Sequence, residues 1–159
     1  MKLTTHLAKF QGESAMEDDV RKLYDQWADT YDQPDFMLSR EEDLTLGLAG
    51  PLEEKRVLEM GAGTGRLTNK LAAKAKSVHS TEPSDGMRQK LEEKTEAERK
   101  AGKVQVFDLS WQDFWTDQRY DLVVAAMIID HIEELDPFFK SMYNILLNDC
   151  HLIVSCTNP

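Results

Sequence analysis

The strongest constraint on the fold is a regular alternation of short apolar runs and longer helical patterns after residue 55. Five runs have the length and composition of β-strands: RVLEM (56–60), SVHSTE (77–82), KVQVFD (103–108), YDLVVAAM (120–127) and HLIVS (151–155). Helical patterns follow the first two runs, and Asp136-Pro137 is expected to cap a helix before the last run. This alternation predicts an α/β fold, in which helices cover both faces of a doubly wound parallel sheet of about five strands.

Two helices are expected before the first strand. Residues 14–17 (SAME) have the form of a capping box, and the helical spacing of apolar and aromatic residues behind them predicts a helix over about 15–30. A second box at residues 39–42 (SREE) predicts the start of the next helix. The chain is interpreted as a single domain over 1–159, with a helical cap at 1–50 and a sheet-forming core at 51–159.

Composition narrows the classes of partner. Aspartate and glutamate outnumber lysine and arginine by 29 to 19, so the net charge of -10 disfavours binding to nucleic acid or to anionic membranes. The sequence has no apolar run long enough for a membrane span and no apolar stretch typical of a signal peptide, so a cytoplasmic location is expected. Cys150 and Cys156 lack metal-ligand spacing, and no metal is expected.

Gly61, Gly63 and Gly65 form a loop directly after the first predicted strand and before a helix. In a parallel sheet this loop lies where the strand order reverses, and glycines let the backbone turn tightly against a ligand. A dinucleotide motif would place its last glycine at position 66, where this chain has Arg66. Glu82 ends the second predicted strand, 21 residues beyond Gly61, where a carboxylate can accept hydrogen bonds from both ribose hydroxyls. The pattern therefore favours a nucleoside ligand and disfavours a pyrophosphate.

The run from Glu59 to Gly65, EMGAGTG, resembles motif I of the class I S-adenosylmethionine-dependent methyltransferases, E/D-x-G-x-G-x-G. That family has a Rossmann-like fold in which the loop wraps the amino-acid and ribose portions of the cofactor, and Glu82 matches its ribose-binding residue. The resemblance implies S-adenosylmethionine as cofactor and S-adenosylhomocysteine as product. In this part of the chain it implies cofactor contacts from Glu59, Gly61, Ala62, Gly63, Thr64, Gly65, Glu82, Pro83 and Met87.

A second resemblance lies in the aromatic segment, defined as residues 24–32 (YDQWADTYD). It is similar to the N-terminal helix of methyltransferases that act on small molecules, including the ubiquinone-biosynthesis type, in which this helix closes over cofactor and acceptor. Aromatic rings can shield such a site and attract a sulfonium cation. Tyr31 is expected to contact the cofactor, whereas Trp27 is interpreted as a core aromatic residue.

The region after the third strand departs from the family pattern. The family commonly has an acidic residue that meets the adenine amine, followed by a residue whose backbone amide meets the ring. Alignment puts Ser110 and Trp111 at these positions, and Asp108 is the competing acceptor two residues earlier. A hydroxyl at Ser110 could still accept one hydrogen bond.

The end of the fourth strand resembles motif IV of the family, so Ala126 and Met127 are expected to border the transferred methyl group. His131 follows and is the candidate general base, because an imidazole can take a proton near neutral pH. Asp130 is the neighbouring alternative, and its competing interpretation is a helix cap. A structural role remains the alternative for His131.

The resemblance implies methyl transfer by direct displacement to an O, N or C atom of a small-molecule acceptor. The family usually continues into sixth and seventh strands, which the sequence lacks before Pro159, so the fifth strand is expected near an open sheet edge. The chain is then a short family member, a fragment, or a subunit covered by a second copy or another chain. The alternative function is a cofactor-binding, catalytically weak partner or regulatory subunit. A nicotinamide oxidoreductase is disfavoured, because Arg66 stands where a dinucleotide motif has its last glycine.

Overall fold

The computed structural model describes residues 15–157. Six helices lie in this part of the chain: α1 (Ala15–Trp27), α2 (Phe36–Ala49), α3 (Arg66–Lys74), α4 (Asp85–Lys94), α5 (Glu96–Lys100) and α6 (Leu135–Ile145). The strands are β1 (Arg56–Met60), β2 (Ser77–Thr81), β3 (Val104–Phe107), β4 (Tyr120–Ala126) and β5 (Leu146–Ser155). A short 3-10 turn, Ile129–His131, follows β4. Within the described residues, no helix is long and apolar enough to cross a membrane.

The strands form one five-stranded parallel sheet, as the alternation predicts, and their order in the sheet is β3-β2-β1-β4-β5. Val57 of β1 lies opposite Val78 on one side and Leu122 on the other. The chain runs outward from β1 to β3 and then returns to the other side of β1, so the strand order reverses beside β1. This reversal opens a crevice at the carboxyl ends of β1 and β4.

Both faces of the sheet are buried, which confirms the predicted layering. On one face, Leu71 of α3 and Ala49 of α2 pack with Val57 and Leu122. On the other face, Phe138 and other residues of α6 pack against the strands. Alternate side chains of each central strand therefore enter different cores, and this explains why these strands read as nearly continuous apolar runs.

The boundaries of the two N-terminal helices differ from the predictions. The first helix ends at Trp27 and not near residue 30, and the second begins at Phe36 and not at the 39–42 box. Asp35 is the N-cap of the second helix because its carboxylate accepts the backbone N–H of Met37 at 2.7 Å. Ser39 lies one turn inside the helix. The capping box predicted at 14–17 includes Ser14 and lies outside the described residues.

Three other boundaries of helices and strands also differ from the predictions. The pattern over 84–100 forms two helices, which break at the buried residue Thr95. Asp136 lies in the first turn of α6, whose N-cap is Glu134, so the predicted Asp136-Pro137 cap is wrong. The fifth strand begins at Leu146 and not at residue 151, and Asp149 within it has a positive φ of 60°. Among residues 15–157, β5 pairs with β4 alone.

Candidate functional site

A cavity of about 950 Å³ lies at the carboxyl ends of the central strands. Its wall contains residues from the glycine loop, the end of β2, the loop after β3 and the end of β4, as well as from α1. The sequence-predicted residues that line it are Tyr31, Gly61, Gly63, Glu82, Pro83, Ser110, Trp111, Ala126, Met127 and His131, together with the competing acceptor Asp108. The fold thus brings most of the predicted site together around one cavity.

The three glycines of the loop have different reasons to lack a side chain. All have positive φ angles: 65° at Gly61, 56° at Gly63 and 82° at Gly65. A Cβ at Gly61 would lie 2.4 Å from Cγ2 of Ile128, and one at Gly65 would lie 2.6 Å from Cδ1 of Leu91. Gly63 lines the cavity, and a Cβ there would have no atom within 4 Å. Packing therefore requires Gly61 and Gly65, whereas Gly63 leaves room for a ligand.

Glu82 joins the glycine loop to the end of β2. Its Oε2 accepts the backbone N–H of Gly63 at 2.7 Å, and its Oε1 accepts the backbone N–H of Ser84 at 2.9 Å. The residue is only 6% exposed, and burial raises the pKa of Glu82 despite the opposing effects of these hydrogen bonds and of Arg88. Each carboxylate oxygen keeps a further lone pair, so the group can accept two more hydrogen bonds from a diol.

Five residues with predicted cofactor contacts do not line the cavity: Glu59, Ala62, Thr64, Gly65 and Met87. The Glu59 carboxylate is buried and accepts hydrogen bonds from Oγ1 of Thr68 at 2.5 Å and Oγ of Ser80 at 3.4 Å. Burial raises the pKa of Glu59 to about 7. This side chain therefore joins β1 to the first turn of α3 from behind the loop.

The aromatic segment forms part of the cavity wall through Tyr24 and Tyr31. The hydroxyl of Tyr24 lies 2.8 Å from Nε2 of His131, and the Tyr24 and Tyr31 ring centroids are 5.9 Å apart. Burial raises the pKa of Tyr24 to about 12, with further contributions from Tyr31, Glu82 and Asp130. The phenol therefore stays protonated near neutral pH. Trp27 is 44% exposed, so its interpretation as a core aromatic residue is wrong.

Two aspartates of the same segment were missed by sequence reasoning. Oδ1 of Asp25 accepts hydrogen bonds from the hydroxyl of Ser84 at 2.6 Å and from the backbone N–H of Gly86 at 2.9 Å. Oδ1 of Asp32 accepts Oγ1 of Thr64 at 2.6 Å. The available signal was their position, since each aspartate directly follows a tyrosine that lines the cavity.

Arg66 connects the helical cap to the sheet, a role that its place in the glycine motif did not reveal. Its guanidinium donates to Glu41 at 2.9 Å and to Glu42 at 3.0 Å, both on α2. Glu41 also accepts Oγ of Ser155 at 2.8 Å, and the backbone N–H of Met127 donates to the Ser155 carbonyl at 2.9 Å. These bonds link the residue after the glycine loop to the ends of β4 and β5.

The loop after β3 contains the three adenine-contact candidates. The strand ends at Phe107, so Asp108 is the first residue beyond it, and its carboxylate accepts a guanidinium N–H of Arg88 at 2.9 Å. Oγ of Ser110 lies 3.4 Å from Oδ2 of Asp113. Trp111 makes an edge contact with Phe138. All three candidates line the same cavity.

The two candidate bases lie in different surroundings. His131 lines the cavity and contacts Tyr24. Asp130 does not line it, and its carboxylate accepts the backbone N–H of Thr157 at 3.2 Å and the Thr157 hydroxyl at 2.9 Å. Met127, with φ 59°, turns the chain from β4 toward these residues. Within residues 15–157, no group of three or more histidine, cysteine or acidic side chains is arranged to hold a metal.

Comparison with known proteins bears on these features. A family model described as "Methyltransferase domain" matches residues 58–152. An uncharacterized methyltransferase of Staphylococcus carnosus (strain TM300) is 35% identical over 103 residues, which cover 64% of this chain and 46% of the relative. The chain spans about half the length of the curated relatives it matches.

Solved structures show the same fold. The CcbJ methyltransferase from Streptomyces caelestis has a TM-score of 0.68 and 28% identity, and the match covers 86% of this chain and 58% of that one. Phosphoethanolamine N-methyltransferase 1 of Haemonchus contortus, in complex with phosphoethanolamine and S-adenosylhomocysteine, has a TM-score of 0.73 and 23% identity. That match covers 96% of this chain and 35% of the other. Because the family model spans more than half of the sequence and the glycine loop and the sheet agree with it, this chain belongs to the class I S-adenosylmethionine-dependent methyltransferases.

Proposed function

We propose that this chain binds S-adenosylmethionine in the cavity and transfers its methyl group by direct displacement to an O, N or C atom of a small-molecule acceptor. The observation that carries the proposal is the contact between Glu82 and Gly63 at the cavity wall. A carboxylate acceptor and an unobstructed glycine backbone then face the same space.

These residues fit the cofactor without phosphate-binding groups. In the proposal, the two Glu82 oxygens accept the ribose hydroxyls while the backbone at Gly61 and Gly63 approaches the amino-acid portion. When bound, S-adenosylmethionine supplies a methyl group on a positively charged sulfur that a nucleophile can displace. The rings of Tyr24 and Tyr31, which line the cavity, suit a nearby cation because their faces carry negative potential.

For the adenine end, we favour Asp108 as the hydrogen-bond acceptor. It directly follows β3 and lines the cavity, as the family pattern requires of an acidic residue. Ser110 and Trp111 lie farther along the loop, where Trp111 extends the wall toward Phe138. The alignment through Ser110 is then two residues out of register.

On the acceptor side, the proposed tasks of the chain are alignment, exclusion of water and removal of a proton. Alignment in a closed site can lower a barrier by about 7 to 11 kcal/mol. His131 is the proposed proton acceptor because it lines the cavity. In the proposed tautomer its Nε2–H donates to the Tyr24 hydroxyl across the 2.8 Å contact, and Nδ1 keeps the lone pair that takes the proton. Asp130 is instead assigned to anchoring Thr157.

A small-molecule acceptor is favoured by the cavity and by the charge of the chain. A volume of about 950 Å³ is within the range of small-ligand sites. The net charge of -10 opposes a polyanionic partner. The Haemonchus contortus enzyme of similar fold was solved with phosphoethanolamine, a small metabolite, and this supports the same substrate class here.

Calorimetry with S-adenosylmethionine, S-adenosylhomocysteine and NAD tests the cofactor. We expect both sulfur compounds to bind and NAD not to bind, because Arg66 replaces the last glycine of a dinucleotide loop. If neither sulfur compound binds to the wild type, the proposal is wrong.

Methyl transfer from labelled cofactor to a metabolite extract tests the activity. We expect the wild type to incorporate label and Gly63→Trp to lose incorporation, because the new ring would occupy the cavity. Gly102→Trp is the matched control, since Gly102 also has a positive φ of 72° and open space but lies outside the cavity wall. Background incorporation by a wild type that binds cofactor would favour the non-enzymatic partner or regulatory role.

A further inference from the structure

We propose that Asp32 is a positioning residue that couples cofactor occupancy of the glycine loop to closure of the aromatic segment over the cavity. The inference rests on the proposed function. Asp32 belongs to the aromatic segment, yet its Oδ1 accepts the hydroxyl of Thr64 at 2.6 Å, and its Oδ2 accepts Nζ of Lys94. Thr64 is 1% exposed and lies between two glycines of the loop, so this contact reaches the cofactor-binding backbone itself.

The position of Thr64 beside Gly63 links its contact with Asp32 to ligand binding. The preceding residue, Gly63, donates its backbone N–H to Glu82 at 2.7 Å. A ligand that fixes Gly63 against Glu82 therefore also fixes the adjacent Thr64 hydroxyl, to which Asp32 binds. Coupling of this kind is reciprocal, so docking of Asp32 in turn favours the ligand-binding arrangement of the loop.

Asp25 makes an equivalent contact on the other side of Glu82. It accepts the hydroxyl of Ser84 at 2.6 Å, and the backbone N–H of Ser84 donates to Glu82 at 2.9 Å. A Cβ at Gly86 would lie 3.1 Å from the backbone oxygen of Asp25, so α1 packs closely on α4. The aromatic segment thus rests on both loops that hold the Glu82 carboxylate.

The tyrosines connect this docking to the cavity. Tyr24 precedes Asp25 and Tyr31 precedes Asp32, and both rings line the cavity. Burial would raise the pKa of Asp32, but the hydrogen bonds from Lys94 and Thr64 outweigh it and lower that pKa. Asp32 is therefore ionised near neutral pH and accepts both donors.

A neighbouring aspartate provides a matched control. Asp29 lies on the same turn after α1 and pairs with Lys90 of α4 at 2.8 Å, but its side chain is 87% exposed and lies outside the cavity wall. Loss of the Asp29 pair removes an ion pair between the same two elements without touching the glycine loop. Exposed pairs of this kind contribute little to stability.

The test compares wild type, Asp32→Ala, Asp29→Ala and Thr64→Val in two measurements. Calorimetry gives the Kd for S-adenosylhomocysteine, and limited trypsin digestion followed by mass spectrometry gives cleavage after the exposed residue Lys22. For Asp32→Ala and Thr64→Val we expect Kd to rise about tenfold, within the range typical of coupled sites, and the ligand-induced protection at Lys22 to disappear. Asp29→Ala should behave as wild type.

Other outcomes separate this inference from the proposed function. If wild type binds S-adenosylhomocysteine but Asp32→Ala keeps both the wild-type Kd and the protection, the coupling is wrong. No binding by the wild type would overturn the proposed function and the coupling with it. The double variant Asp32→Ala/Thr64→Val should lose less affinity than the sum of the two single losses, because both single changes remove the Asp32–Thr64 contact, although each also removes one contact with Lys94. Additive losses would show that the two residues act independently and would also overturn the coupling.

Discussion

The backbone N–H of Gly63 donates to the Glu82 carboxylate at 2.7 Å, so the glycine loop is held to the end of β2 by a side chain that also faces the cavity. Ser84 donates its own backbone N–H to the other oxygen of the same group. One buried carboxylate therefore fixes two loops, and the geometry of both loops depends on it.

Glu82→Gln should weaken cofactor binding. Glutamine offers one oxygen in place of two, so either Gly63 or Ser84 loses its acceptor and the proposed ribose contact is reduced. A hydrogen bond to a charged group contributes about 1.5 to 3 kcal/mol, so loss of one proposed ribose contact should raise the Kd for S-adenosylhomocysteine about 10- to 150-fold. Calorimetry measures this change. Glu53→Gln is the control, because Glu53 is exposed at the opposite end of β1, and an equal loss there would contradict the assignment.

Gly61→Ala should destabilise the fold more than Gly63→Ala. Both positions have positive φ, but only the Gly61 Cβ would collide with Ile128, at 2.4 Å. We expect a loss of about 2 to 3 kcal/mol in the free energy of unfolding for Gly61→Ala and about 1 kcal/mol for Gly63→Ala, from urea titrations. Ile128→Ala removes the clashing Cγ2 and should recover part of the Gly61→Ala loss. Equal losses at the two glycines would contradict the packing argument.

The buried Glu59 carboxyl should make stability fall as pH rises toward neutrality. Burial raises the pKa of Glu59 from its ordinary value of 4.5 to about 7, so between these values the folded state binds more protons than the unfolded state. The stability it provides is complete below about pH 4.5 and is lost as pH rises through about 7, a change on the order of 3 kcal/mol.

The variant Glu59→Gln isolates this effect, because its amide oxygen can still accept the hydroxyl of Thr68 but does not titrate. Urea titrations of both proteins between pH 4.5 and 8 give the difference in their pH slopes. We expect only the wild type to lose, as pH rises, the part of its free energy of unfolding that protonated Glu59 provides. Parallel slopes would mean that the pKa of Glu59 is the same in the folded and unfolded states, which would contradict the raised pKa.

Tyr24→Phe should affect turnover more than cofactor affinity. Phenylalanine keeps a ring at the cavity wall but removes the hydroxyl that lies 2.8 Å from His131. We expect the Kd for S-adenosylhomocysteine to change less than threefold and kcat to fall at least tenfold with an acceptor that must lose a proton. Incorporation of labelled methyl measures kcat. An unchanged kcat, or an equal loss of affinity, would contradict the role proposed for the Tyr24 and His131 pair.

The parts of the fold that depend on local patterns could be predicted from the sequence. Apolar runs of strand length and the spacing of Gly61 and Gly63 are local signals, and the parallel sheet with helices on both faces follows from the alternation of strands and helices. Helix starts were less predictable because several residues compete as caps. Asp35 makes the actual cap, although the 39–42 box has the more familiar pattern.

Contacts between distant residues carried no such signal. Asp32 binds Thr64 across 32 positions and Asp25 binds Ser84 across 59, and neither pair follows from spacing. The position of the proposed adenine acceptor, Asp108, depends on where β3 ends, and strand ends are poorly marked in sequence. In the sequence, Arg66 indicated only that the last glycine of a dinucleotide motif is missing. Its ion pairs could not be predicted, because the carboxylates that bind it lie on another helix.

Arg66→Met should separate the helical cap from the sheet. The guanidinium is held by Glu41 and by Glu42, whose side chain is only 7% exposed, so its removal leaves buried carboxylates with fewer donors. Lys70 still pairs with Glu42, and we therefore expect a loss of about 2 kcal/mol in the free energy of unfolding, below the 3 to 5 kcal/mol for a fully orphaned buried charge. Arg40→Met, at an exposed position on the same helix α2, should change stability by less than about 0.5 kcal/mol. Adding Glu41→Gln to Arg66→Met should restore part of the loss, because a neutral amide tolerates burial better than an unpaired carboxylate. Wild-type stability in Arg66→Met would show that α2 is held by packing alone.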